Sequence, residues 1–291
     1  MTINEPKLTL EKMGDGEWRF KEAEYRAYVH VEFQKVLEAH LGKPKFGPAL
    51  RTFILSHSDH MEAFTYYALL KLDQRKATDA LVFAHTAVAI GRQAFTSEFV
   101  SANGQLPTGW TENRPFLRAL YTLMLAQTFA GGLDNEAIAT GEECLHLDPE
   151  DRSGARLKLV EYYLRAQRPR RALALFEREI YRDAFWADGY LHAFALFELN
   201  GPDGARDIMR RYLGYYPQVA RFILDPNAEP PKNESVIGGE ISGSEYEGWV
   251  KANTWGWMWR HSAKALAFLK AEAESWIKND WKRTSTPPSG S

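Results

Sequence analysis

An all-α fold, a right-handed solenoid of stacked helix hairpins between helical caps, is what the sequence predicts, and three observations predict it. The first is a hidden period. Cys144-Leu145-His146-Leu147-Asp148-Pro149 and Tyr212-Leu213-Gly214-Tyr215-Tyr216-Pro217 end in prolines 68 residues apart, twice 34. Twelve residues before each proline stands an alanine at an expected helix start, Ala137 and Ala205. Ala172, in Arg171-Ala172-Leu173-Ala174-Leu175-Phe176, lies 35 residues after one and 33 before the other. The second observation is small side chains on one face. Ala137, Gly141 and Cys144 follow an i, i+4, i+7 spacing, which lets two helices approach closely. The third is that no segment reads as a convincing strand.

A period near 34 with small residues at these offsets is the signature of the tetratricopeptide repeat, a helix–turn–helix unit whose apolar face the next unit covers. In chain order, residues 1–59 are expected to form N-terminal capping helices. Phe20, Tyr28, Val29, Phe33, Val36, Leu37 and Leu41 make a helical pattern over 20–41, closed by Gly42 and Pro44. A second helix follows Gly47-Pro48 over 50–55. The repeats are assigned to 60–226. Phe64, Ala68, Ala80, Ala84, Ala87 and Val88 fit the template about a turn at Arg75-Lys76-Ala77-Thr78. Ala80 to Ala137 spans 57 residues, about 23 more than one period. A loop is therefore inserted within 91–117, and the Gly, Pro and polar content of 99–110 reads as surface.

The next hairpin sets Ala126 against Ala137, Gly141 and Cys144. Another sets Leu159, Val160 and Tyr163 against Ala172 and Phe176, and the last sets Ala193 and Leu196 against Ala205 and Met209. Glu179 and Tyr212 stand where a small residue is usual, and Gln167 replaces the usual turn glycine. A short helix between Pro217 and Asp225-Pro226 leads into an irregular connection over 227–244. Within 227–283 the chain is expected to form a tryptophan-rich helical cap. One helix covers 245–260; another is opened by Ser262 as N-cap and carries Leu266, Phe268, Leu269, Ala273, Trp276 and Ile277. Residues 284–291 have the composition of a frayed tail.

Composition bounds the function classes. The 291 residues are 45% apolar and 25% charged, with 36 Lys+Arg against 38 Asp+Glu and a net charge of -2. Mean hydropathy is -0.42 and the pI about 6.5, which argues against a general nucleic-acid coat or a polybasic membrane binder. The single cysteine, Cys144, excludes an intramolecular disulfide and any multi-cysteine metal site. The start, Met1-Thr2-Ile3-Asn4-Glu5-Pro6-Lys7, lacks a basic stretch leading into an apolar run, so no secretory leader is expected. A reducing compartment follows, the cytoplasm with the nucleus as alternative, and the Asn233-Glu234-Ser235 sequon is then not glycosylated.

Residues that could carry chemistry are few and scattered. His57-x-x-His60 beside Asp59 has metal-ligand spacing but no further ligand cluster, so neither a metal nor a cofactor is expected. Cys144 occupies a packing slot and reads as an inert thiol. Gly131-Gly132 and Gly238-Gly239 lack the strand–helix context of a phosphate loop. No Ser/His/Asp arrangement emerges, and the chain is read as non-enzymatic.

Six of the nine tryptophans, Trp249, Trp255, Trp257, Trp259, Trp276 and Trp281, lie in the last 43 residues. They read as a closing cap over the last repeat or as an exposed anchor for a partner. Trp255, Trp257 and Trp259 cannot all share one helical face. Asp134, Glu136, Glu142, Glu143, Asp148, Glu150 and Asp151 are followed by Arg152, Arg156, Lys158, Arg165, Arg168, Arg170, Arg171, Arg178 and Arg182. These make solvated inter-repeat ion pairs, or else Arg165, Arg168, Arg170 and Arg171 meet an acidic segment or RNA phosphates. Counting in register, Leu123, Gln127, Leu157, Glu161, Tyr190 and Phe194 line the groove of the solenoid. Its apolar, aromatic character suits an apolar helix or extended segment, a partner's or the chain's own terminal helices. Trp110, Asn113 and Arg114 on the inserted loop are candidate specific contacts. The function expected is a protein–protein interaction scaffold. The alternative is a ribosome- or RNA-associated factor using the arginine cluster.

A family resemblance runs through the same landmarks. Ser56-His57-Ser58-Asp59-His60-Met61-Glu62-Ala63, Glu112-Asn113-Arg114-Pro115-Phe116-Leu117-Arg118-Ala119-Leu120-Tyr121 and Leu147-Asp148-Pro149-Glu150-Asp151 resemble successive segments of the eukaryotic transcription factor twenty-five family. Tyr216-Pro217-Gln218-Val219 and the region from Trp259 to Leu269 are similar to its closing segment. The Pro217-x-Val219 turn also resembles the suppressor-of-tumorigenicity family, number seven. The first resemblance covers roughly residues 46–270 and implies association with the ribosome-quality-control machinery on stalled large subunits. The long charged N-terminal region of that family is lacking here.

Overall fold

Alternation of large apolar and charged side chains in Trp18-Arg19-Phe20-Lys21-Glu22 buries Trp18 and Phe20 on one side and turns Lys21 outward, the period of a strand. In the computed structural model, which describes residues 8–24, 27–177, 188–232, 235, 236, 239–241 and 243–279, this segment is β2 (Trp18–Glu22), antiparallel to β1 (Leu8–Lys12). Gly16 at φ 79° supplies the left-handed turn between them. Two expectations are corrected here. The chain does contain strands, and the helix read over 20–41 begins only at α1 (Ala27–His40). A second, two-residue ladder, β3 (Ser235–Val236) with β4 (Gly239–Glu240), sits in the connection read as irregular. Arg178, Glu179, Arg182, Asn233, Glu234, Gly238, Trp281 and the tail 284–291 lie outside the described residues.

The rest is mostly helical, with helices packed in sequence. The chain divides into two compact units, Met1–Leu159 and Val160–Ser291. In the first, α1 packs on α2 (Phe46–Ser56) and α2 on α3 (Met61–Asp73) around Val29, Phe33, Phe46, Leu50 and Phe53. α3 pairs with α4 (Ala77–Arg92), α4 with α6 (Arg114–Ala130), and α6 with α7 (Asp134–Leu147). α3 and α6 also touch. The small residues of the template form these seams: Ala68, Ala80, Ala84, Ala87, Ala126 and Ala137 expose no surface at all. A Cβ on Gly141 would sit 2.9 Å from Met124 Sδ, so the α6–α7 approach depends on its absence. Arg75 takes φ 57° at the turn from α3 to α4, a left-handed helix end without glycine.

The insertion is folded rather than a free loop. α5 (Ser97–Ser101) is capped by Thr96, whose hydroxyl accepts from Phe99 N–H. Phe99 meets Trp18 edge-to-face, Trp18 N–H donates to the Gln105 carbonyl, and Leu106 is fully buried. The β1–β2 hairpin is thus cemented onto the inserted segment.

In the second unit, α8 (Ala155–Arg165), cut by the unit boundary, turns through Gln167 at φ 55° into α9 (Pro169–Phe176). Gln167 therefore occupies the left-handed position where glycine is usual. α10 (Gly189–Tyr215) is broken at Gly201, φ 71°, with Pro202 restarting it, so that Ala193 and Ala205 belong to two helical segments. Gly189 explains Tyr212, which stands where a small residue is usual: a Cβ at 189 would collide with the Tyr212 ring. α11 (Pro217–Leu224) starts on proline at N1 and packs against α12 (Glu245–His261) and α13 (Ala263–Asn279). Ser244 and Ser262 accept from Glu247 N–H and Ala265 N–H, so each of the last two helices opens on a serine cap. Trp255 and Trp259 are buried, whereas Trp249, Trp257 and Trp276 are half-buried. No helix among the described residues is long and apolar enough to cross a membrane.

Candidate functional site

The inserted segment is held by two polar hubs. Asn113, ahead of α6 and with no exposed surface, accepts from Phe20 N–H and donates to the carbonyls of Trp18 (2.9 Å) and Pro107 (3.0 Å). Asp148, at the end of α7, accepts from the Thr108 amide and hydroxyl and from Arg152 N–H. Of the loop residues singled out in the sequence, Asn113 is thus internal scaffolding. Arg114 is exposed and donates to the Thr108 carbonyl, and Trp110 is half-buried with the Arg19 guanidinium 5.2 Å from its ring centre.

The groove residues divide between the units and are mostly covered. Leu123 and Gln127 are buried, Gln127 accepting from the Thr140 hydroxyl, and Leu157 is half-buried. Glu161, Tyr190 and Phe194 are buried in the second unit. Tyr190 donates to the Tyr216 carbonyl, and burial pushes its phenol well above the ordinary range. Phe194 lies edge-to-face on Trp259 of α12, and Phe197 stacks on Phe268 of α13. The chain's own terminal helices therefore cover this face of α10.

Arg165, Arg168, Arg170 and Arg171 are all exposed about the α8–α9 turn, and Arg171 lies over the Tyr163 ring at 5.9 Å. Of the acidic run, Glu143 pairs with Arg92 of α4 and Glu150 with Arg152. Asp151 accepts from Ala155 N–H and Arg156 N–H at the start of α8; its burial still raises its pKa, outweighing those donors. Burial and the neighbouring Glu143, Asp151 and Asp148 push the Cys144 thiol far above its usual value, so it is a poor nucleophile.

One concave feature of the first unit lies elsewhere. A cavity of about 130 Å³ opens where the hairpin meets the ends of four helices, α1, α3, α4 and α6. Leu8, Phe20, Met61, Ile90 and Pro115 supply its apolar lining. Glu22, His30, Asp59, His60, Glu62 and Glu112 supply its polar lining. Helix ends converge there because Asn113 ties β2 to the start of α6 while α3 and α4 run antiparallel beside it. Glu62 pairs with Arg118, Glu112 with Arg19 at 3.7 Å, and His30 with Glu22.

His57 and His60, the pair with metal-ligand spacing, serve separate tasks. His60 is the N-cap of α3, its Nδ1 accepting from Ala63 N–H, and its ring packs against Phe33 (4.7 Å) and Phe53 (5.2 Å). His57 reaches Glu32 through Nε2 at 3.0 Å. Among the described residues no group of three or more His, Cys, Asp or Glu side chains is placed to hold a metal ion. Sequence reasoning marked Asp59 and His60 but not Glu22, His30 or Glu112 as their neighbours. Glu22 and His30 fall in the segment read as one helix, which hid that Glu22 ends a strand and His30 belongs to a separate helix. No family model matches this chain, and no curated protein does.

Proposed function

We propose that this chain is a non-catalytic adaptor built of tetratricopeptide-like hairpins in a right-handed solenoid, holding a segment of a partner protein. The observation that carries this reading is the run of antiparallel pairs α3–α4 and α6–α7, seamed by alanine and glycine at the period's offsets, with α3 also touching α6. The same spacing recurs at Ala172, Ala193 and Ala205 in the second unit. With Phe194 and Phe197 covered by α12 and α13, the open recess of the first unit is the better seat for a partner than the aromatic face of α10. The resemblance to the transcription factor twenty-five family points to nascent-chain quality control as the setting, in the cytoplasm or nucleus. The test is selection from a random-peptide display library on the purified chain, followed by hydrogen exchange with the selected peptide. Binders sharing a consensus that protect α3, α4 and α6 are expected; no enrichment above background overturns the reading.

A second reading has its own observation, the four exposed guanidiniums of Arg165, Arg168, Arg170 and Arg171 about one turn. They suit phosphates of RNA, on or off the ribosome. Retention of single-stranded RNA that falls steeply with salt, and is lost when Arg168, Arg170 and Arg171 become Glu, would favour it. Retention unchanged by those substitutions removes it.

A further inference from the structure

The backbone of the β1–β2 hairpin is satisfied along one edge and left open along the other. Opposite residues of an antiparallel pair alternate between those that exchange hydrogen bonds and those that do not. Two observations fix the phase here. Trp18 N–H donates to the Gln105 carbonyl and Phe20 N–H to Asn113 Oδ1, so both turn their backbone groups away from β1. Met13 N–H donates to the Glu17 carbonyl, which in the same register places the bonded residues of β1 at Glu11 and Thr9. The N–H and C=O groups of Leu8, Leu10 and Lys12, opposite Glu22, Phe20 and Trp18, therefore point outward.

The outer edge of β2 is covered by Gln105 and by both ends of the Asn113 amide. Along β1 the outward groups of Leu8, Leu10 and Lys12 make no hydrogen bond among the described residues. The side chains of Glu11 and Lys12 pair with Arg19 and Glu98, which leaves the backbone edge itself open. A row of donors and acceptors at strand spacing is matched by another extended backbone.

We propose that this edge pairs antiparallel with β1 of a second copy of the chain, giving a four-stranded sheet about a two-fold axis at Leu10. The register singles out that copy. The outward groups recur at every second residue, so a slip of one would face them with groups already bonded to β2. Centred on Leu10, all five residues pair. Leu8, Leu10 and Lys12 exchange bonds with Lys12, Leu10 and Leu8 of the second copy, and Thr9 and Glu11 stand opposite its Glu11 and Thr9. No like charges then face each other. A slide of two residues one way sets Glu11 against Glu11, and the other way sets Lys12 against Pro6, which has no N–H to give. The centred pairing also brings half-buried Leu10 beside its own copy, on the face of the sheet where Trp18 and Phe20 are buried.

The test is sedimentation equilibrium of the full chain from micromolar to millimolar concentration, with amide exchange read residue by residue. A monomer–dimer equilibrium is expected. The amides of Leu8, Leu10 and Lys12 should slow as the dimer fills, while those of Thr9 and Glu11, already bonded to β2, keep their rates. Thr9→Glu sets a carboxylate opposite Lys21 within the hairpin but opposite Glu11 across the seam. It is expected to keep the hairpin and weaken the dimer by about tenfold. Leu10→Pro deletes the central outward N–H without removing a bond to β2, and is expected to abolish the dimer. Should that variant lose the hairpin, seen as fast exchange at Trp18 and Phe20, Thr9→Glu and the exchange pattern decide. A chain that stays monomeric throughout overturns the proposal. So does a dimer that Thr9→Glu leaves unchanged, or one that slows Thr9 and Glu11 as much as Leu10. Peptide selection is a separate measurement, so the adaptor reading stands or falls on its own.

Discussion

At Asn113 a single amide closes three backbone hydrogen bonds, from Phe20 N–H and to the carbonyls of Trp18 and Pro107, with none of its own surface exposed. Asn113→Ala strands those groups in the interior. At about 1–3 kcal/mol for each buried group left unsatisfied, the expected loss is at least about 3 kcal/mol, read as a lower urea midpoint. His192 offers a test by pH. Its ring stacks on Phe176 at 4.6 Å, and burial, helped by Arg211, pushes its pKa down from 6.5 to about 4. Between those values the unfolded chain binds more protons than the folded one, so this contribution is complete above pH 6.5 and drains away on acidification towards 4. The slope is at most about 1.4 kcal/mol per pH unit. The urea midpoint should fall between pH 6.5 and pH 4.5, and fall less in His192→Phe. Equal falls would remove the assignment to this ring.

Helix ends were written plainly in the sequence where a side chain must do a local job. Ser262 caps α13, Pro217 opens α11, and Asp225-Pro226 follows its last turn, each as read from residue type alone. The hairpin was not, although Trp18 and Phe20 alternate with charged neighbours. Phe20 also falls in helical step with the apolar residues of α1, and five residues of alternation weigh little against a longer periodic run. The cavity was illegible for a different reason: Glu22, His30, Glu62 and Glu112 come from four separate elements, and the hairpin is brought to the helix ends by long-range ties such as the Asn113 bonds and the Phe20–Phe116 contact. One element-scale attachment is directly testable. Glu272 of α13 is buried and accepts from Arg206 Nε (3.0 Å) and Arg210 Nε (2.8 Å) of α10. Glu272→Ala removes that two-pronged hold and should speed amide exchange along α13 at least several-fold; unchanged rates would show that Phe268 and Leu269 alone fix the helix.

For the molecule as a whole, the sequence announced helices packed one after another but not where the chain divides. The division falls inside α8, because contact within each unit depends on packing that no local pattern records. The two polar anchors lie on opposite sides of it, Asn113 in the first unit and Glu272 in the second. Asn113→Ala is therefore expected to loosen amides of β2 and α6 while sparing α12 and α13, and Glu272→Ala to do the reverse. Equal loosening of both units by either variant would show that they open together.

The lone thiol extends this to the bench. Cys144 sits in the α6–α7 seam, shielded and held protonated, so thiol-directed reagents pass over the native protein. A dye or spin label placed through a new cysteine at an exposed site needs no prior removal of the native one. The slow labelling that remains is a clock for how often the seam itself comes apart.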